Sequence, residues 1–264
     1  MKNFRLGIRA IHQKDIKTAI IEAKKNGFKI LEIHMSAPQF QPQSYTTSQL
    51  NEIKNYAKKN EIIIQTHSEI GQSLIQIDKG IRGAEQQRIK QYIQFSRQLG
   101  ARCLTLHVGK SLAYHAGTES FSHDKLFPKF YTSLFEDSIK HLISIAPKDL
   151  LICIENDNFT EGYRKVLGKY LKTGKIFLTW DIMKNFQYKP TKVLYPKLWQ
   201  FMKKNINYIR NVHISGPNHA GIQGFEKDFT PLLKSVKNQD LPIVIEMLSI
   251  KEAVRAKKII QGLL

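Results

Sequence analysis

Cysteine is scarce in this chain: Cys103 and Cys153 are the two present among 264 residues. Each lies in an apolar, strand-like run, RCLTLHV and LLICIEN, where a free thiol packs as a small hydrophobe. They are too far apart in sequence for a CxxC metal or redox motif. Long apolar runs are missing as well, and nothing approaches the roughly 20 consecutive apolar residues of a membrane helix. The opening stretch MKNFRLGIRA has no apolar segment of signal-peptide type. The expectation is a soluble, cytoplasmic protein with no membrane partner. No low-complexity linker divides the chain, so residues 1–264 are expected to form a single domain. No GxGxxG follows the first strand candidate, which speaks against an open dinucleotide-binding sheet.

Acid is in short supply: 22 Asp and Glu stand against 41 Lys and Arg, a net charge of +19. That surplus has two readings. One is a face that binds a polyanion such as nucleic acid, which counterion release would make strongly salt-dependent. The other is a solvated surface, because the lysines recur on nearly every helix candidate (KKNGFK, KNYAKKN, KYLKTGK, RAKKII) with no dominant block. Nothing in the sequence speaks to oligomeric state.

What is present is a regular alternation of short apolar runs with longer amphipathic ones, the signature of βα units and a parallel sheet. Strands are expected at 4–8, 29–35, 61–68, 102–108, 150–156, 176–181, 208–215 and 242–248. Helices are expected near 14–26, 47–60, 80–99, 127–146, 161–172, 192–204, 228–237 and 250–262. Eight units in a chain near the usual 250 residues indicate an α/β fold of one type, a single (β/α)8 TIM barrel. Local punctuation agrees. Gly27 and Gly100 fall just past helices, where a left-handed residue is wanted. Thr46 with Gln49, and Ser249 with Glu252, have capping-box spacing. Pro190 and Pro196 mark the approach to the sixth helix. The long loops, 36–46, 69–79, 109–126 and 214–227, all follow strands and so belong to the functional face.

The ionisable residues follow the same geometry. His67, His107, Glu155, Asp181, His213 and Glu246 end strands three to eight, and Glu32 and His34 lie near the end of strand two. In a closed barrel those ends converge on one mouth. Carboxylates and imidazoles gathered there are costly unless paired, and a divalent cation removes the cost. The His and carboxylate mixture suits Zn²⁺, Mn²⁺ or related ions.

On these motifs the chain resembles the xylose isomerase-like barrel superfamily, which includes sugar isomerases, epimerases and the apurinic/apyrimidinic endonuclease four family. The resemblance runs from FRLGI to the last helix. It implies that Glu155, Asp181, His213 and Glu246 hold a metal, with Glu155 and Glu246 as the catalytic acid/base pair. It further implies that His67 and His107 match the two histidines by which the endonuclease branch holds a second ion, Glu155 bridging the two. There are departures. Lys184 stands where the family usually has a histidine after the strand-six aspartate. After strand seven, Pro217-Asn218-His219 keeps only the histidine of an Asp-x-His pair. The HxPY setting of the endonucleases reads His67-Ser68-Glu69-Ile70.

Two activities follow. The first is a metal-dependent isomerase or epimerase of a small sugar or keto-sugar, with one ion and with Glu32, His34, Lys184, His219 and Arg9 near the substrate. The second is a two-metal phosphodiesterase acting on damaged DNA. A degenerate barrel that only binds a ligand is the non-catalytic alternative.

Overall fold

The computed structural model describes residues 5–116, 119–187, 193–216, 219, 221–237 and 241–263. Eight parallel strands close on themselves: β1 (Leu6–Ala10), β2 (Ile30–His34), β3 (Ile63–His67), β4 (Cys103–Leu106), β5 (Leu151–Glu155), β6 (Ile176–Asp181), β7 (Ile209–Ile214) and β8 (Ile243–Ile245). The last closes on the first, with Leu6 opposite Ile243 and Ile8 opposite Ile245. The major helices are α1 (Ile16–Lys25), α2 (Thr47–Lys59), α3 (Lys79–Gln98), α4 (Pro128–Ile145), α5 (Glu161–Tyr170), α6 (Pro196–Lys204), α7 (Glu226–Lys237) and α8 (Ile250–Leu263). The fold is thus the expected single (β/α)8 barrel. No helix among the described residues is long and apolar enough to cross a membrane.

Each strand obeys the two-residue alternation of side chains. One set is apolar and buried against the helices: Ile8, Leu31, Ile33, Ile64, Leu104, Ile152, Ile154, Leu178, Val212 and Ile245 among them. Trp180, on β6, meets Trp199 of α6 edge-on at 5.8 Å. The other set faces the barrel axis and is unusually polar, where β/α barrels are normally filled with Val, Ile and Leu. Two contacts between strands that are not neighbours establish its direction. Thr105 on β4 meets Thr179 on β6 at 2.8 Å, and Asn211 on β7 reaches Glu32 on β2 at 2.9 Å.

Several helices begin where short polar side chains accept the orphan N–H groups of the first turn, whereas α4 and α6 open on a proline instead. The capping box at α2 is complete, with Thr46 and Gln49 reciprocally bonded. Asp15 accepts the Thr18 N–H at 2.7 Å and Asp78 that of Ile81 at 2.9 Å, two caps the sequence reading did not single out. Ser249 accepts the Glu252 N–H at 3.2 Å at the start of α8, and Ala253, Ala256 and Ile260 form its buried stripe. Gly27 and Gly100 are left-handed, at φ of 68° and 66°. Pro196 opens α6, whereas Pro190, Pro217 and Asn218 lie outside the described residues.

The departures from expectation are in the loops and at strand ends. Loop 36–46 contains two single 3₁₀ turns, Pro38–Phe40 and Pro42–Ser44, each started by a proline whose fixed φ suits a tight first turn. Loop 109–126 folds into a hairpin, Ala113–Ala116 against Glu119–Ser122, followed by a short helix, His123–Leu126. Ladders also stop earlier than the apolar runs do. β4 ends at Leu106 and β8 at Ile245, so His107 and Glu246 stand one residue beyond their strands. Glu246 is still held in line, its N–H donating to the Ile214 carbonyl at 2.9 Å.

Candidate metal centre

The inward-facing residues at the C-terminal strand ends meet at one mouth. Glu155 is the hub: its Oε2 lies 3.1 Å from His67 Nε2, 3.0 Å from His107 Nε2 and 3.9 Å from His213 Nδ1. His213 Nδ1 is also 3.6 Å from Glu246 Oε1, which in turn lies 3.7 Å from Arg9 Nη1. Two trios have ligand atoms within 4.8 Å of one another, His67–His107–Glu155 and His67–His213–Glu246. Glu155, Asp181, His213 and Glu246 are each no more than 3% exposed, so water cannot compensate the three carboxylates.

Asp181 belongs to neither trio. Its Oδ1 accepts the Met183 N–H at 2.9 Å, and its backbone is clamped on both sides by the Asn156 amide, at 2.6 and 2.9 Å. It is nonetheless close enough to feel the other acids. Burial, aided by Glu155 and Glu246, pushes its carboxyl up to about 7. His213 shifts in the same direction. Burial disfavours a charged His213, but Glu246, Glu32 and Glu155 together raise its pKa well above 6.5. Glu155 is instead held well below the usual carboxylate range: burial opposes ionisation, yet His107 and His67 outweigh it. The mouth therefore collects negative charge and, in the absence of a cation, recruits protons to balance it.

One atom tests whether a metal fits. His213 Nδ1 is buried and has no hydrogen-bond partner among the described residues, although it faces two carboxylates. Buried ring nitrogens are normally satisfied, and a ring nitrogen left open between carboxylate oxygens is placed to become a metal ligand once a cation displaces its proton. His67 is preset in the same way. Its Nδ1 donates to the Ser68 carbonyl at 2.8 Å, leaving Nε2 toward Glu155. The donor set of imidazole nitrogens and carboxylate oxygens fits a divalent first-row cation.

The residues expected near a substrate are placed unequally. Arg9 reaches the mouth beside Glu246. His34 is 4% exposed and stacks on His67 with centroids 4.4 Å apart and planes at 13°. Burial, with like charge on His67 and Arg9, drives its pKa well below 6.5. Lys184 lies 3.5 Å from Asp157; burial opposes its charge, but Asp157 and Glu155 raise its pKa further. His219 adopts a left-handed φ of 56°, and its Nδ1 lies 3.3 Å from the Glu246 carbonyl. Glu32 is different. It is fully buried beneath the mouth, 3.1 Å from His213 Nε2.

Several participants were not singled out from the sequence: Asn156, Asp157, Gln72, whose Oε1 accepts the His107 N–H at 3.1 Å, and Asn211. A signal for Asn211 was available. It stands two residues before His213, so the strand alternation puts both on one face. Gln65 before His67, Thr105 before His107 and Thr179 before Asp181 repeat the pattern.

Beside the mouth opens a cleft of about 920 Å³. Lys184 stands where the two meet, and Lys110, Lys125, Arg164 and Lys197 are also on its walls. Of its two carboxylates, Asp124 accepts from Ser111 Oγ at 2.8 Å and Asp157 faces Lys184.

The profile of the xylose isomerase-like TIM barrel family matches residues 20–262. No curated protein sequence matches the chain. Among solved structures, a D-tagatose 3-epimerase-like protein superposes with a TM-score of 0.75 at 16% identity, over 98% of this chain and 96% of its own. The 3-keto-D-glucoside 4-epimerase from E. coli gives 0.73 at 12% identity, over 99% of both chains. The D-allulose 3-epimerase from Methylomonas sp., in complex with D-allulose, gives 0.71 at 14% identity, over 100% of this chain and 98% of its own.

Proposed function

The chain belongs to the xylose isomerase-like TIM barrel family, and from that premise we propose that it is a metal-dependent isomerase or epimerase of a small keto-sugar. The observation that carries the reading is the unpartnered His213 Nδ1 between Glu155 and Glu246 at the barrel mouth. The epimerase names of the structural neighbours are in line with it.

A divalent ion, Zn²⁺ or Mn²⁺, held by Glu155, Asp181, His213 and Glu246 would polarise a substrate carbonyl and acidify the adjacent C–H. Glu155 and Glu246 are the proton carriers: one removes the proton and the other returns it. Arg9, beside Glu246, steadies that carboxylate in its charged, basic form. His107 and His67 do the same for Glu155. Lys184 and the cations of the neighbouring cleft would receive hydroxyls or an anionic end of the substrate. The test is exchange of solvent deuterium into a panel of keto-sugars. Exchange that is lost in Glu246→Gln supports the reading, and no exchange in any of them, with metal supplied, refutes it.

One observation favours a second reading, a two-metal phosphodiesterase: His67 and His107 both converge on Glu155 Oε2, giving a second ligand trio. An abasic-site DNA duplex incubated with metal at low salt separates the two. Cleavage there would establish the hydrolase, and no cleavage leaves the epimerase.

A further inference from the structure

Beneath the mouth lies a polar layer that the proposed chemistry touches only through Arg9. Arg9, Glu32 and Gln65 are register partners on β1, β2 and β3. Asn211 joins them from across the barrel through its bond to Glu32. Glu32, Asn211 and His213 are all fully buried. A carboxylate taken out of water without compensation is expensive, so its surroundings must account for it. Glu32 Oε2 accepts from Asn211 Nδ2 at 2.9 Å and lies 3.1 Å from His213 Nε2, while its Oε1 has no partner among the described residues.

The same Asn211 Nδ2 lies 2.8 Å from His213 Nε2. Two groups therefore compete for one ring nitrogen, and they ask opposite things of it. Glu32 can only accept, so it requires a proton on Nε2. The Asn211 amide nitrogen can only donate, so it would satisfy an Nε2 that has none. In a neutral imidazole the first case leaves the lone pair on Nδ1 and the second puts the proton there. Only the first presents a ligand to the space between Glu155 and Glu246.

We propose that Glu32 is a positioning residue that fixes His213 as its Nε2–H form and thereby reserves Nδ1 for a metal ion. The inference rests on His213 being a metal ligand, as read above. Negative charge at Glu32 settles the competition, because a proton between imidazole and carboxylate is a charge-assisted bond and that from a neutral amide is not. Asn211 then donates to Glu32 instead. Removing the carboxylate hands Nε2 to Asn211 and turns the proton toward the metal space.

The experiment is a zinc titration by calorimetry on the full chain, wild type against Glu32→Leu, Glu32→Gln and Glu32→Leu/Asn211→Leu, with circular dichroism to confirm folding. Loss of a residue that orients a metal-bound histidine typically weakens affinity about 10–100-fold, and Glu32→Leu is expected in that range. Glu32→Gln keeps an acceptor and the shape, so it should lose less and covers the case in which leucine disturbs folding. The double variant removes the competing donor as well and is expected to bind zinc more tightly than Glu32→Leu alone, which a merely structural role would not produce. ¹⁵N-histidine spectra of the zinc-loaded wild type should show one ring ligated through Nδ1 with its proton on Nε2. Zinc binding in Glu32→Leu equal to wild type, or a double variant weaker than the single one, overturns the inference while leaving the metal centre intact. A wild type that binds no zinc removes the metal centre itself.

Discussion

The mouth of the barrel substitutes protons for a cation, and that has a measurable consequence for stability. The perturbation is pH in the metal-free protein. In the unfolded chain Asp181 ionises near its ordinary 3.8, whereas in the folded protein burial and its acidic neighbours hold the proton until about 7. Between those values the folded state binds more protons than the unfolded state. Stability due to this group is therefore fully present below 3.8 and lost as pH rises through 7. At about 1.4 kcal/mol per pH unit, Asp181 alone removes about 3 kcal/mol between pH 5 and 7. For a domain of this size that is a fall in Tm of roughly 6–12 °C. His213 acts with the same sign from 6.5 upward, since its folded pKa is raised. Glu155 has the opposite sign, but its lowered pKa places its window below 4.5, outside the range; His34, with its lowered pKa, opposes the fall only up to pH 6.5, so the decline is cleanest above that. A divalent ion binds the deprotonated mouth, so its stabilisation should grow with pH. The assay is thermal unfolding in EDTA and in Mn²⁺ at pH 5, 6, 7 and 8. A metal-free Tm that is flat or rises between pH 6.5 and 8, or a metal-induced gain that does not depend on pH, would refute the reasoning.

Other outcomes follow from the same geometry. His107→Ala removes one member of the His67–His107–Glu155 trio but none of the four proposed epimerase ligands. In an epimerase it should leave the bound metal at one ion per chain, and a fall from two ions to one, read by elemental analysis, would favour the hydrolase. Glu246→Gln preserves shape but not basicity, and should lower kcat for deuterium exchange by about 10²–10⁴-fold, the usual worth of a general acid or base. Lys125→Glu with Lys197→Glu reverses charge on two exposed positions of the cleft. It should raise KM for phosphorylated ketoses more than for the free sugars, and equal effects on both would detach the cleft from substrate binding.

The architecture was readable in the sequence because the signals were redundant. Period-two apolar runs, helical stripes and caps such as Thr46–Gln49 all pointed to the same eight units. The mouth was readable because closure of a barrel brings every strand end to one place, so one ionisable residue per strand end sufficed. Depth was harder. Glu32 and His34 differ by two residues and share a face, yet one supports His213 from below and the other stacks on His67 near the mouth. Which strand across the barrel each one meets decides this, and no local pattern encodes it. Asn211 and Gln65 escaped because neutral amides in a strand resemble ordinary surface residues until the strand is known to face inward. The hairpin in loop 109–126 had no alternating apolar pattern to announce it. Asp181 shows a further limit: its position in the sequence matched a ligand, but its carboxylate is partly committed to the Met183 N–H, a bond set by the turn after β6.

The most direct test is the metal content of the purified wild type and of His213→Ala after dialysis against Mn²⁺ or Zn²⁺ and removal of free ion. The account expects at least one ion retained per wild-type chain and that ion lost when the Nδ1 ligand is removed, with the barrel still folded. A wild type that retains no ion, or a His213→Ala protein that holds it as firmly, would contradict it.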